Sequence, residues 1–320
     1  MSWTNPSWTS SVTGTGMIRG NREKIRIGVS SCLLGEKVRY DGNHKLNRLI
    51  TEVLSEHFEF IPFCPEVAIG LGVPRPVIRL QMMSRRPRAV LQNGDNRDIT
   101  GELAQLGHQV AGKYTELGGY ILKSNSPSCG MERVKIHDDN GISAATGSGI
   151  YAGALMSALP LLPVEEEGRL GDPDLRENFL ERVFIYSHWQ SMERAGMTAA
   201  DLIRFHSQYK FIVMTRDQNL MRELGRLVAK GNPEKTGTRY ITLLMSTLKK
   251  PAGHGNQVNV LQHIAGFFKK RLDREERGEL LQAIESYRKK QVSIIVPLTL
   301  IKHHLGRNPD PFLENQAYLD

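Results

Sequence analysis

Apolar residues follow two rhythms along this chain. In the first half they gather into short runs broken by Gly, Pro, Asn and Ser, the signature of strands and turns. In the second half they recur at spacings of three and four with no convincing alternation, the signature of amphipathic helices. The runs predict strands over 24–30, 59–63 and 120–122. Between the first two, Leu46, Leu49, Ile50, Val53, Leu54 and Phe58 share a helical face that Asn43 or Asp41 would cap, which makes a βαβ unit. Residues 76–81 and 88–93 read as a hairpin inserted into that core, with Arg85, Arg86 and Arg88 around its turn. A helix from about Asp98 carries Ile99, Leu103, Leu106, Val110, Tyr114 and Leu117 on one face. A short strand over 134–136 and a helix of small residues over 152–159 close the domain.

The expected architecture is therefore an α/β N-terminal domain, Rossmann-like with a parallel sheet and an inserted β-hairpin, followed by an all-α C-terminal domain. Residues 1–22, rich in Ser, Thr and Gly, read as a disordered arm; 23–163 as the α/β domain; 164–173, with its acidic run Glu165-Glu166-Glu167, as a linker; and 174–320 as the helical domain. Helices are expected over 174–195, 199–229, 238–250, 256–271, 273–291 and 294–305, with a capping box from Thr198 to Asp201.

Composition narrows the class. No apolar run approaches the ~18 residues needed to span a bilayer, and the first residues lack the charged start and apolar core of a signal peptide, so a cytoplasmic protein is expected. Three cysteines far apart in such a chain argue against a disulfide framework. The formal charge of +8 is uneven. Residues 202–309 hold 20 Lys and Arg against 8 Asp and Glu, which points to a polyanionic partner, with a solvated helical face as the plain alternative. The basic clusters there are Lys249-Lys250, Lys269-Lys270-Arg271 and Arg288-Lys289-Lys290, with Tyr240, Phe267, Phe268 and Tyr287 among them.

The candidate chemistry lies with the cysteines. Cys32, Cys64 and Cys129 each follow an apolar run; if those runs are parallel strands of one sheet, all three thiols emerge at its carboxyl edge, where open α/β sheets bind ligands. Inert buried thiols are the plain reading of any one of them, but three at matched positions favour a joint ligand set. Zinc would need a further ligand such as His44 or His137, whereas an iron–sulfur cluster on three thiolates keeps one iron open; spacing does not choose between them. Glu66, two residues past Cys64, is either a surface carboxylate or a proton donor kept protonated by partial burial. Asp41 is either a helix cap or a substrate contact. Lys123 and the hydroxyls of Ser124 and Ser126 could hold a polar heterocycle or position a water.

Four separated stretches carry a resemblance: Ser30-Ser31-Cys32-Leu33-Leu34-Gly35, Val38-Arg39-Tyr40-Asp41-Gly42, Cys64-Pro65-Glu66-Val67 and Leu122-Lys123-Ser124-Asn125-Ser126-Pro127-Ser128-Cys129-Gly130. Together, over roughly residues 24–160, they resemble the thiouracil desulfidase (TudS) family. Phe205-His206-Ser207-Gln208-Tyr209-Lys210, Asn259-Val260-Leu261-Gln262-His263 and Ile295-Val296-Pro297 resemble the YbgA-like helical domain, and the fusion resembles the RudS group of tRNA 4-thiouridine desulfidases. The resemblance implies a 4Fe–4S cluster on Cys32, Cys64 and Cys129 whose open iron takes the substrate sulfur. It also implies Glu66 as the proton donor, Ser126 as the group directing water, and Ser31, Asp41, Lys123, Ser124 and Asn125 around the substrate. The partner would be tRNA carrying thiolated uridine, gripped by the basic clusters, with no membrane or protein partner. A desulfidase of free thiouracil or thiolated nucleotides, and a non-catalytic zinc-bearing RNA-binding protein, are the alternatives.

Overall fold

The computed structural model describes residues 24–138 and 140–320; the expected arm lies outside the described residues. Two compact units divide the chain, the first ending at Ser191 and the second running from Met192 to Asp320.

The first unit is built on β1 (Ile25–Ser30), β2 (Phe58–Phe63), β5 (Gly119–Leu122) and β8 (Val164–Glu166), paired in the order β2-β1-β5-β8. All three pairings are parallel. β5 is buried throughout and β1 over its last four residues, which is why they read as continuous apolar runs rather than alternating ones; β8 is equally buried although two of its three residues are glutamates. A second sheet, β4-β3-β6-β7, joins β3 (Ile78–Met83) and β4 (Arg86–Leu91) to β6 (Val134–His137) and β7 (Ser143–Gly147). The expected hairpin is thus real, and it forms half of a sheet of its own. The core between these layers takes in Leu103, Val110, Tyr120, Tyr151 and Leu155, and it includes Cys129. The helices are α1 (Pro65–Ala68), α2 (Thr100–Lys113), α3 (Ile150–Ala158) and α4 (Pro173–Arg194).

Three readings of the sequence need correction here. The helix expected from Leu46 is shorter and irregular: a wide π turn, Leu49–Val53, runs into a 3-10 turn, Leu54–Glu56. Ile50, Thr51 and Val53 are β-branched and poor helix formers, and Thr51 and Ser55 donate hydroxyls back to the carbonyls of Asn47 and Thr51. Neither Asp41 nor Asn43 caps it; Asn47 does, accepting from the Ile50 N–H. The second correction concerns 164–173. Residues Val164–Glu166 are a sheet strand, and Glu165 and Glu166 are 3% and 8% exposed. An acidic triplet after two prolines looks like solvated linker, but Glu165 is paired with Arg169 (2.6 Å) and faces Arg182 at 3.7 Å. The third is that α4, expected to open the helical domain, belongs almost entirely to the first unit.

The second unit is helical: α5 (Ala199–Met214), α6 (Gln218–Val228), α7 (Pro233–Leu248), α8 (His254–Phe267), α9 (Arg274–Arg288), α10 (Ile295–Arg307) and α11 (Pro311–Glu314). The capping box of Thr198 and Asp201 is present. The span expected as one helix over 199–229 is broken by Thr215–Asp217, where Asp217 caps α6 by accepting from the N–H groups of Asn219 and Leu220. Among the described residues no helix is long and apolar enough to cross a membrane.

Glu165 gives the sharpest test of the β8 assignment. Removing one partner of a buried ion pair leaves the other charge uncompensated, so Glu165→Ala should lower unfolding free energy by about 3–5 kcal/mol in denaturant titration. A residue in a solvated linker would change it by no more than about 0.5 kcal/mol.

Candidate active site

Cys32 leaves β1 on a 3-10 turn, Ser31–Leu34, that Gly35 closes in the left-handed region at φ 96°. Cys64 leaves β2 as the residue before α1. Cys129 follows β5 at the end of a longer loop, and that loop is pinned. The N–H groups of Ser128 and Cys129 donate to Ser126 Oγ at 3.2 and 3.0 Å. The start of α3 holds it from the other side: Ile150 N–H donates to Pro127 O and Ala152 N–H to Ser128 O, both at 3.0 Å. Gly149 is needed there, because a Cβ would come within 2.6 Å of the Ser128 carbonyl. All three cysteines are free thiols, Cys129 buried and the other two half-buried.

The three thiols line one cavity of about 410 Å³ at the carboxyl edge of the parallel sheet, together with Ser31, Glu66, Lys123, Ser124, Asn125 and Ser126. Asp41 is not part of its wall. Its carboxylate accepts from the Asn43 N–H and lies 3.5 Å from Arg39 Nε, so it shapes the loop that presents Arg39, Tyr40 and Lys45 to the cavity. His44 and His137 are also absent from the wall; each ring is engaged locally, His44 accepting from the Leu46 N–H and His137 meeting the Gly141 carbonyl.

Burial dominates the electrostatics of the thiols. It pushes Cys32 up to about 11, helped by the neighbouring Cys64, and it raises Cys64 as well. Cys129 rises well above the ordinary thiol range through burial first and then through the nearby Glu66 carboxylate. Buried thiols that resist ionisation alone lose their protons to a metal, which makes binding and deprotonation one event.

Two ion pairs brace the walls, and each involves a residue that sequence reasoning passed over. Arg75, almost fully buried, holds Glu66 Oε2 through Nε (2.8 Å) and Nη2, and donates to the carbonyls of Gly72 and Val38. Glu66 thus stands at the wall as the partner of a buried arginine rather than as an isolated acid. On the opposite wall Glu167 accepts from Lys123 Nζ, from the Ser124 hydroxyl (2.9 Å) and from the Ser124 N–H (2.7 Å). Lys123 also donates to the Ser124 carbonyl and hydroxyl oxygens, so its three N–H groups are taken. Ser126 differs from Ser124: its oxygen accepts from two backbone groups, while its own hydrogen has no acceptor among the described residues. Ser31 and Asn125 make no side-chain hydrogen bond among those residues. An arginine between prolines and a glutamate in an acidic run carry no local signal that could have marked either one.

A family model described as 2-thiouracil desulfurase matches residues 27–167, and a second, described as a protein of unknown function (DUF1722), matches residues 210–320. The chain is 31% identical over 139 residues to YbbK, an uncharacterized protein of Bacillus subtilis (strain 168), spanning 41% of this chain and 89% of that protein. The chain belongs to the 2-thiouracil desulfurase family. Its match to that family ends on Glu167, past the point where the domain was expected to stop and at the carboxylate that braces Lys123. A second relative is YbgA, an uncharacterized protein of Escherichia coli (strain K12), 30% identical over 148 residues, 45% of this chain and 88% of the relative. The fusion read from the motifs, a desulfidase domain with a YbgA-like domain after it, is the one the comparisons show. Among solved structures, a [4Fe-4S]-dependent thiouracil desulfidase, TudS, is 30% identical and covers 50% of this chain and 99% of its own, with a TM-score of 0.38.

The raised Cys32 thiol has a direct readout. In metal-free protein under argon, alkylation of Cys32 by iodoacetamide, followed by mass spectrometry, should be slow at pH 8. It should climb roughly tenfold per pH unit until about pH 11, because only the thiolate reacts and its fraction rises tenfold per unit below the pKa. A plateau near pH 9, where ordinary thiols ionise, would contradict the burial effect.

Proposed function

We propose that this protein is a tRNA 4-thiouridine desulfidase, converting 4-thiouridine to uridine with release of sulfide. The observation that carries the reading is the convergence of the three lone cysteines, from three strand ends, on one cavity that also holds Glu66 and Ser126. The chain's family supplies the reaction class, and the 20-to-8 excess of basic residues over 202–309 supplies the polyanionic substrate.

The donor set fits a 4Fe–4S cluster. Three soft thiol ligands share the cavity wall, and no histidine lines it with them. Cys32, Cys64 and Cys129 would hold the cluster, whose fourth iron, free of protein ligands, supplies a Lewis acid for a thiocarbonyl sulfur.

The chain's own residues do the rest. Ser31 and Asn125, unengaged on the cavity wall, meet the polar edge of the base. Lys123 and Ser124, locked by Glu167, keep the opposite wall rigid. Ser126, with both backbone donors on its oxygen, can only donate, and its hydroxyl orients a water toward the thiocarbonyl carbon. Glu66 takes a proton from that water and returns it to the departing sulfur or the ring, with Arg75 fixing the carboxylate in place. The bonds balance without an electron donor: carbon exchanges sulfur for the oxygen of water, and both protons of water end on sulfide. A base inside a folded tRNA must leave its stack to reach the cavity, at a cost of a few kcal/mol that contacts to the phosphates can offset.

The deciding experiment is anaerobic turnover of 4-thiouridine-containing tRNA against free thiouracil, following sulfide release. Preference for tRNA in kcat/KM is expected; turnover of the free base alone would reduce the reading to a thiouracil desulfidase. In the same assay Glu66→Gln should keep the brown colour of the cluster yet turn over roughly 100-fold more slowly. Cys32→Ala, Cys64→Ala and Cys129→Ala should each lose colour and activity together, and full iron content in any of them would remove that cysteine from the ligand set.

A further inference from the structure

The basic clusters picked out from sequence are unequal once their partners are seen. Arg271 donates to the carbonyl of Pro309 and pairs with Asp310 at 2.9 Å, bracing the chain beyond α10. Arg288 and Lys289 both pair with Glu285, whose carboxyl is held down to about 2 by the Arg288 hydrogen bonds and then by Lys289. The charge of Arg271, Arg288 and Lys289 is thus answered within the unit.

A different surface of the same helical unit carries cations that are not all answered in this way. Between α6 and α7 lies an open groove of about 680 Å³. Arg222 and Arg226 stand one turn apart on α6, Lys230 follows just beyond its end, and Arg239 faces them from α7. Leu224, Leu227 and Val228 are buried, so the orientation of α6 is fixed by its core face and the cations are held outward. Two carboxylates share the groove, and both are engaged: Asp217 as the cap of α6, Glu223 with Arg239 at 2.8 Å. Arg222 reaches only the neutral Asn219 side chain. Arg226 and Lys230 are exposed and have no ion pair among the described residues.

We propose that this groove seats the phosphate backbone of RNA. Its lining holds no aromatic side chain, which argues against a protein partner, whose interfaces rely on buried aromatic anchors, and against base stacking. The arginine forks of Arg222 and Arg226 on α6, with Lys230 beside them, match phosphate oxygens, and contacts of that kind position an RNA without reading its sequence. That suits an enzyme acting on many tRNAs, and the inference rests on the substrate reading above.

The test is binding of unmodified bulk tRNA to the full-length, cluster-loaded protein by fluorescence anisotropy over a range of salt. Arg226→Gln with Lys230→Gln should weaken binding about tenfold and flatten the plot of log K against log salt by about 1.4 to 1.8, the loss of two phosphate contacts. Arg226→Lys with Lys230→Arg should restore both, and Tm should stay at the wild-type value in either pair. Wild-type affinity and slope in the Gln pair would overturn the groove while leaving the substrate reading standing. Wild-type protein that binds tRNA with no salt dependence, or not at all, would remove both.

Discussion

The site depends on β1 pairing in parallel with β2 on one side and β5 on the other. Parallel pairing forces each chain to leave its strand at the same edge, and it obliges the intervening segments to cross back over the sheet before the next strand begins. Every residue between strands is therefore either covering a face or waiting at the carboxyl edge. Cys32, Cys64 and the Cys129 loop are the first polar chemistry met at that edge. A register slip in either pairing would carry one thiol away from the other two.

Around that edge the protein accepts buried charge. Arg75 with Glu66 and Lys123 with Glu167 stand at the cavity wall, and Glu165 with Arg169 and Arg182 behind it. Desolvating such groups contributes little net stability, so their value here is positional: an ion pair in a low-dielectric wall holds each partner in one place. Glu66 is kept at the cavity by an arginine anchored on two carbonyls, and the Ser124 hydroxyl is engaged by Glu167. The wall decides which hydroxyl is left without an acceptor among the described residues.

The helical unit shows the same principle in solvent. Arg271 and Arg288 are basic residues in the sequence and structural residues in the fold, because a carboxylate stands beside each. Arg226 and Lys230 pair with none among the described residues, and their charge is left to the surroundings. Counting cations over a stretch of chain measures the first kind and the second together.

Much of this was legible in one dimension. Runs of apolar residues set the positions of β1, β2 and β5 to within a residue and those of most helices to within about five, the capping box at Thr198 fixed the start of α5, and each cysteine's place after a strand was plain. Those features are local: periodicity, capping and propensity act over a few residues, so they are written contiguously. The rest was decided by pairings across the chain. Glu167 meets Lys123 from 44 residues away, and Arg75 reaches the Val38 carbonyl across 37. An acidic triplet reads as solvated linker until it is known that arginines wait for it inside, and a hydroxyl reads as free until its neighbours are placed. Charges and hydrogen bonds take their meaning from whatever lies within about 3 Å, and only the tertiary fold brings those partners within that distance.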